Sequence, residues 1–334
     1  MEMTRRSCLQ AAIAGAAATL AAPWVQAAAP DVVRLGWFGG PRPWILGKAA
    51  GHYDKAMGTK VEWVQFASGA NALTALASRQ IDISRLGAPP TVAGISRKLP
   101  IEMIAISGQI ATSERLIARA AVTDVAALKG RRIAYPPGST AHFSLMAALK
   151  VHKVPANQVT LLGMAPAEMV AAWQRGDIDA AFVWGPFSHT MEKAGGKQLL
   201  VTSDLQRDGY VVWNNFVVRK EFGQRHPETV AQFLQAFAAD VETYKKDPAG
   251  AAQQIARHLS QDPAAVRDTL EGLSYPTLQE QLSGKLLGAG GAVAPTMLEI
   301  GRFLVELGDL RASELPGDFA PFVNTSYMQA AVKR

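Results

Sequence analysis

Three stretches bring together residue types suited to holding an anion: Ser68-Gly69-Ala70-Asn71, Gly87-Ala88-Pro89-Pro90-Thr91 and Pro137-Gly138-Ser139-Thr140-Ala141-His142. Each follows an apolar run that reads as a strand and opens a segment that reads as a helix. The first N–H groups of a helix have no carbonyl partner within it and carry partial positive charge, so they can grip an oxyanion without a cation. Ser139 and Thr140 add hydroxyl donors, and such donors suit a tetrahedral sulfonate. One junction alone would not mark a site, because Ser and Thr cap helices everywhere. Three in register across parallel strands carry more weight.

Other chemistry finds little support. Ser139 and His142, three apart, resemble a nucleophile and its base. However, no Gly-x-Ser-x-Gly turn is present, and a triad needs a carboxylate behind the imidazole. At a helix start His142 would also resist protonation, so it reads as a packing or ligand-contact residue. The six histidines show neither His-x-His nor His-x-x-x-His spacing, and neither a Walker nor a dinucleotide fingerprint occurs. Arg175, Asp177 and Asp179 read as the end of a helix and the start of a strand, with Gly176 as its cap. No catalytic residue, no metal and no cofactor is expected.

The elements that must position these junctions alternate. Val32–Trp37, Val61–Phe66, Ile81–Leu86 and Ile101–Ser107 read as strands separated by helices, which implies a largely parallel sheet flanked by helices. Leu116–Ala120 and Phe216–Arg219 read as passages to and from a second lobe. That lobe contains strands near 132–135, 159–163 and 180–184, and helices at 141–152 and 166–175. The tail is helical in four segments, 227–246, 248–259, 263–272 and 295–307, each starting at or near a proline, as the first helical turn allows. The expected fold class is α/β, a two-lobed clamshell with a mostly parallel sheet in each lobe. Lobe one is residues 31–115 plus 216–334, and lobe two is 116–215.

With 334 residues the chain is long enough for two lobes. Its net charge of +6 is a mild basic excess with no dense Lys/Arg run, which argues against nucleic-acid binding. Residues 1–27 read as an export signal: Arg5-Arg6, an apolar stretch from Leu9 to Ala22, then alanines at 27–29. Thr4-Arg5-Arg6-Ser7-Cys8-Leu9 fits a twin-arginine signal and an ordinary secretory one equally. The single cysteine, Cys8, lies inside it, so the mature chain would hold no disulfide, cysteine-based zinc site or thiol nucleophile. A monomer in the periplasm is expected.

Ser139-Thr140-Ala141-His142-Phe143-Ser144-Leu145 with Ala147-Ala148-Leu149-Lys150 resembles the second-lobe helix of the taurine and aliphatic-sulfonate binding proteins of ABC importers. More distinctive is Ala171-Ala172-Trp173-Gln174-Arg175-Gly176-Asp177-Ile178-Asp179-Ala180, running on to Val183-Trp184. Phe66 to Leu76, Leu86-Gly87 and Val217-Val218-Arg219-Lys220 extend the likeness over the mature chain. The resemblance implies a clamshell that closes on taurine or a related small organosulfonate. It also implies delivery to a membrane permease driven by a separate ATPase. Ser68, Ala88, Ser139, Thr140 and Trp184 are the implied ligand contacts, and Gly69 and His142 join them as candidates from the helix starts. Taurine-binding members carry acidic residues where Asn214 and Arg42 fall here, so the match to an ammonium is lost and Arg42 is free to pair a second anionic group. Trp37, Trp44 and Trp213 are candidate walls for a bulkier sulfonate. Alternatives are another oxyanion as ligand, an exported ligand-sensing subunit, or an ester hydrolase. Enzymes known on the same fold need working-site cysteines that the mature chain lacks.

Overall fold

The structure, a computed structural model, describes residues 29–333; the expected export segment with Arg5, Arg6 and Cys8 lies outside the described residues. The chain builds a first sheet from β1 (Val32–Trp37), β2 (Lys60–Gln65), β3 (Ile83–Gly87) and β4 (Ile101–Ile110). These strands alternate with helices α1 (Ile45–Ala50), α2 (His52–Met57), α3 (Gly69–Ala77) and α4 (Ala88–Ser96). A second sheet follows: β5 (Glu114–Ala118), β6 (Arg132–Tyr135), α5 (Thr140–Val151), β7 (Thr160–Gly163), α6 (Pro166–Arg175), β8 (Ala180–Trp184), α7 (Phe187–Lys193) and β9 (Lys197–Val201). The chain returns through β10 (Trp213–Arg219) into α8 (Lys220–Arg225), α9 (Pro227–Lys246), α10 (Pro248–Leu259) and α11 (Pro263–Glu271). It ends with β11 (Leu273–Ser274), α12 (Leu278–Gln281), α13 (Val293–Glu306) and α14 (Ser326–Val332).

Both sheets are mixed. The first runs β11-β4-β10-β3-β1-β2 and the second β7-β6-β8-β5-β9. Where a helix connects consecutive strands the pairing is parallel, as in β1 with β2 and β6 with β7. The antiparallel pairs in the sheet interiors come from β5 and β10, the first strands made after each passage between lobes. β10 lies antiparallel between β3 and β4, and β5 antiparallel between β8 and β9. β5 begins at Glu114, which already pairs with Trp184. β10 begins at Trp213, so Asn214 and Asn215 belong to the first sheet.

The first lobe's core shows why the tail is helical. Val230, Phe233, Leu234, Phe237, Val241 and Tyr244 recur along one face of α9 and are buried. Phe216 meets Trp44, Phe233 and Phe237 edge-on, at centroid distances of 5.4, 4.9 and 5.0 Å. Beneath this cluster sits Asp240, 2% exposed, whose carboxylate accepts a hydrogen bond from the Tyr53 hydroxyl at 2.9 Å and one from the Gly47 N–H. Gly47 has to be glycine, because a Cβ there would stand 2.3 Å from the Asp240 oxygen. Burial pushes the Asp240 carboxyl up to about 7, against the pull of these two donors. Tyr53→Phe is therefore expected to cost about 1–3 kcal/mol by leaving a buried acceptor short of a donor. Urea unfolding at pH 8 measures it, and a loss below about 0.5 kcal/mol would mean that the hydroxyl does not support Asp240.

The lobes touch. Phe143 on α5 packs edge-on against Phe303 on α13 at 4.7 Å and is buried in the first lobe's core. Lys150 pairs with Glu306 at 2.7 Å, and Lys193 pairs with Asp262. On α11, Asp268 receives both Arg115 and His189, the latter at 2.6 Å, and these hold its carboxyl below the ordinary range. Two passages, 111–113 and 209–212, therefore join lobes in a closed arrangement.

Candidate functional site

The three helix starts meet in the cleft between the lobes. Ser68, Gly69, Gly87, Pro90, Ser139 and Thr140 all line one cavity there. Ser68 is the N-cap of α3, its hydroxyl accepting from the Asn71 N–H at 3.2 Å. Ser139 caps α5 in the same way, accepting from the His142 N–H at 3.1 Å and donating to the Pro136 carbonyl at 2.6 Å. Both hydroxyls are thus committed to capping, and what these two helices offer a ligand is mainly backbone N–H. The start of α4 is poorer in donors, because Pro89 and Pro90 have no N–H; it contributes at most the Ala88 N–H.

Charge dominates the rest of the cavity. Arg42, from the loop after β1, and Arg85, near the end of β3, both line it and are only 8% and 9% exposed. The Nε–H of each has no hydrogen-bond partner. Burial lowers both guanidinium pKa values, and for Arg85 the charge of Arg42 lowers it further, as expected of two buried cations sharing one cavity. From the second lobe, at the start of β5, comes Glu114, 4% exposed. Its Oε1 accepts from the Thr140 hydroxyl, while Oε2 has no partner. Burial pushes this carboxyl up to about 7 despite the Thr140 hydrogen bond and the two arginines. Aromatic walls come from Phe38, Trp44 and Trp184. The indole N–H of Trp44 is buried without a partner, as is the hydroxyl of Tyr275. Among the described residues no three His, Cys, Asp or Glu side chains gather to hold a metal ion, and no helix is long and apolar enough to cross a membrane.

The structure brings Arg42, Ser68, Gly69, Ser139, Thr140, Trp184 and Asn214 together in this cavity. It places three other candidates elsewhere. The Ala88 side chain is fully buried in the first lobe's core. His142 turns away to stack on Tyr135 at 4.5 Å, its Nδ1 accepting from the Gly138 N–H, with Asp309 of the other lobe 3.8 Å off. Trp37 is buried under the Lys48 ammonium, 4.8 Å from its ring centroid. Arg175 pairs with Asp177, and Asp179 with Arg132, all away from the cleft. Arg85 and Glu114 are the site residues that sequence reasoning missed. The signal for Arg85 was a lone cation inside an apolar strand, two residues before a helix-opening glycine. For Glu114 no local signal distinguishes it from any polar residue in a connecting segment.

Residues 31–266 match the family described as the substrate binding domain of ABC-type glycine betaine transport system. The taurine-binding periplasmic protein of Escherichia coli (strain K12) is 32% identical over 294 residues, covering 86% of this chain and 89% of that protein. Among solved structures, the alkanesulfonate-binding protein SsuA from Xanthomonas axonopodis pv. citri bound to MOPS superimposes with a TM-score of 0.76 at 22% identity, covering 90% of this chain and all of that one. The fold also carries catalysis elsewhere: the desulfurization enzyme DSZB matches with a TM-score of 0.63 at 14% identity, over 91% of this chain and 99% of that one. With a closed interlobe cavity, anion-directed helix starts and these relatives, the chain belongs to the taurine- and aliphatic-sulfonate-binding family of ABC-importer substrate-binding proteins.

Proposed function

We propose that the protein captures a small organosulfonate between its lobes in the periplasm and presents the closed form to the permease of an ABC importer, whose separate ATPase drives uptake. It acts as a monomer, reaches the periplasm through its N-terminal segment and leaves its ligand chemically unchanged. The observation that carries this reading is the convergence of the α3 and α5 starts with the buried Arg42 and Arg85 on one cavity, an arrangement made for an oxyanion. Binding without turnover is supported by the state of the Ser139–His142 pair beside the cleft. The Ser139 hydroxyl donates to Pro136, and His142 Nδ1 is occupied by the Gly138 N–H, so the imidazole does not act as a base on that hydroxyl.

A thermal-shift screen tests it with taurine, ethanesulfonate, sulfoacetate, an aromatic sulfonate, nitrate and bicarbonate. A sulfonate at 100 times its dissociation constant should stabilise the protein by about 2.7 kcal/mol, a rise of several degrees. The recovered sulfonate should be unaltered. A response to nitrate or bicarbonate alone, or steady consumption of the sulfonate, would overturn the proposal.

A further inference from the structure

Two cations are more than one sulfonate needs. Arg42 and Arg85 reach the cavity from different elements, both about nine-tenths buried, both with an unpartnered Nε–H. Each therefore has hydrogen-bonding capacity left for a ligand, and a guanidinium suits a flat carboxylate as well as a sulfonate. Charge counting narrows the class. The arginines bring two positive charges into positions about nine-tenths shielded from solvent, and Glu114 offsets at most one of them. A zwitterionic sulfonate such as taurine, with no net charge, would leave at least one buried cation uncompensated, which is costly. A ligand with two acidic groups leaves none.

Resting on the sulfonate reading above, the geometry points to a small organosulfonate that also carries a carboxylate, one acidic group at each arginine. The sulfonate lies toward the starts of α3 and α5, where backbone N–H groups supply the additional donors that a three-oxygen head group can use. The carboxylate faces the Nε–H of the other arginine, and the Trp44 indole N–H on the same cavity lining is likewise without a partner. The free Oε2 of Glu114 faces the same space. It accommodates an amine-free ligand by taking up a proton and an amino-bearing one by accepting from the ammonium, and the raised Glu114 carboxyl agrees with either use.

Titration calorimetry on the purified protein, with two matched pairs that differ only by a carboxylate, decides the matter: ethanesulfonate against sulfopropionate, and taurine against cysteate. The carboxylated member should bind about 30-fold more tightly, or better, in at least one pair. Arg42→Gln and Arg85→Gln should each remove most of that gain. The wild-type comparison stands by itself, independent of how well either variant folds. If neither carboxylated ligand binds more tightly, or the gain survives both substitutions, the inference falls while the sulfonate function stands. If none of the four sulfonates binds, the function proposed above falls with it.

Discussion

The substitution Gly87→Val is expected to weaken ligand binding by about 100-fold while leaving the unliganded protein's melting temperature within a few degrees of wild type. Gly87 ends β3 on the first lobe, and a Cβ placed there would stand 2.7 Å from the Thr140 methyl of the second lobe. That contact exists only when the cleft is shut. The Thr140 side chain has little freedom to step aside, since its hydroxyl is held by buried Glu114 and a β-branched residue in a helix has few rotamers. Gly87 itself has φ −77° and ψ 161°, an extended conformation open to any residue, so the substitution adds no backbone strain. Its cost therefore falls on closure. Overpacking of about 1–3 kcal/mol is typical, and a larger branched side chain belongs at the upper end. Because the ligand draws contacts from both lobes, a penalty on the closed state appears directly as lost affinity. Calorimetry reads the affinity, and small-angle scattering with ligand should show the variant staying more open. Wild-type affinity in Gly87→Val would mean that the lobes do not approach in this way when loaded.

What the sequence discloses and what it hides divide along physical lines. Strand–helix alternation, the caps at Ser68 and Ser139 and the proline-led helices of the tail are local properties, set by periodicity and by the hydrogen bonds of a single turn. The helix ranges read from the tail agree with α9, α10 and α11 to within a residue. Strand direction is different, because β5 and β10 run antiparallel to neighbours far off in sequence and nothing within them records it. Burial of charge is likewise a long-range result. Arg85 becomes a site residue only because β3 ends at the cleft, and Glu114 only because β5 pairs with β8 and brings it beside Thr140. His142 shows the converse: a residue in a promising motif is turned aside by a stacking partner, Tyr135, seven positions earlier.

Glu114 also makes a prediction about protons. Its carboxyl is held near 7 chiefly by burial, against the opposing effects of Thr140, Arg85 and Arg42. An unfolded glutamate titrates near 4.3, so between roughly pH 4.3 and 7 the folded protein retains a proton that the unfolded chain has lost. This stabilising contribution is present in full below the unfolded value and fades as pH rises, levelling off above about 7. Asp240 acts in the same direction, whereas the lowered His142 and Asp268 act in the opposite one, so the wild-type profile alone is a mixture. The difference between wild type and Glu114→Gln isolates the group. The variant should gain on wild type by about 2–3 kcal/mol between pH 5 and pH 8, measured by urea unfolding. A flat difference would mean that Glu114 is not buried in the form that dominates in solution. The same carboxyl reports the ligand's charge through the sign of proton exchange. An amine-free dianion raises the affinity of Glu114 for its proton, so binding at pH 7 should take protons from the buffer and weaken as pH rises. An ammonium placed against Oε2 favours the ionised carboxylate, so binding should release protons instead. Calorimetry in two buffers of different ionisation enthalpy gives that sign, and in Glu114→Gln the exchange should vanish with either kind of ligand.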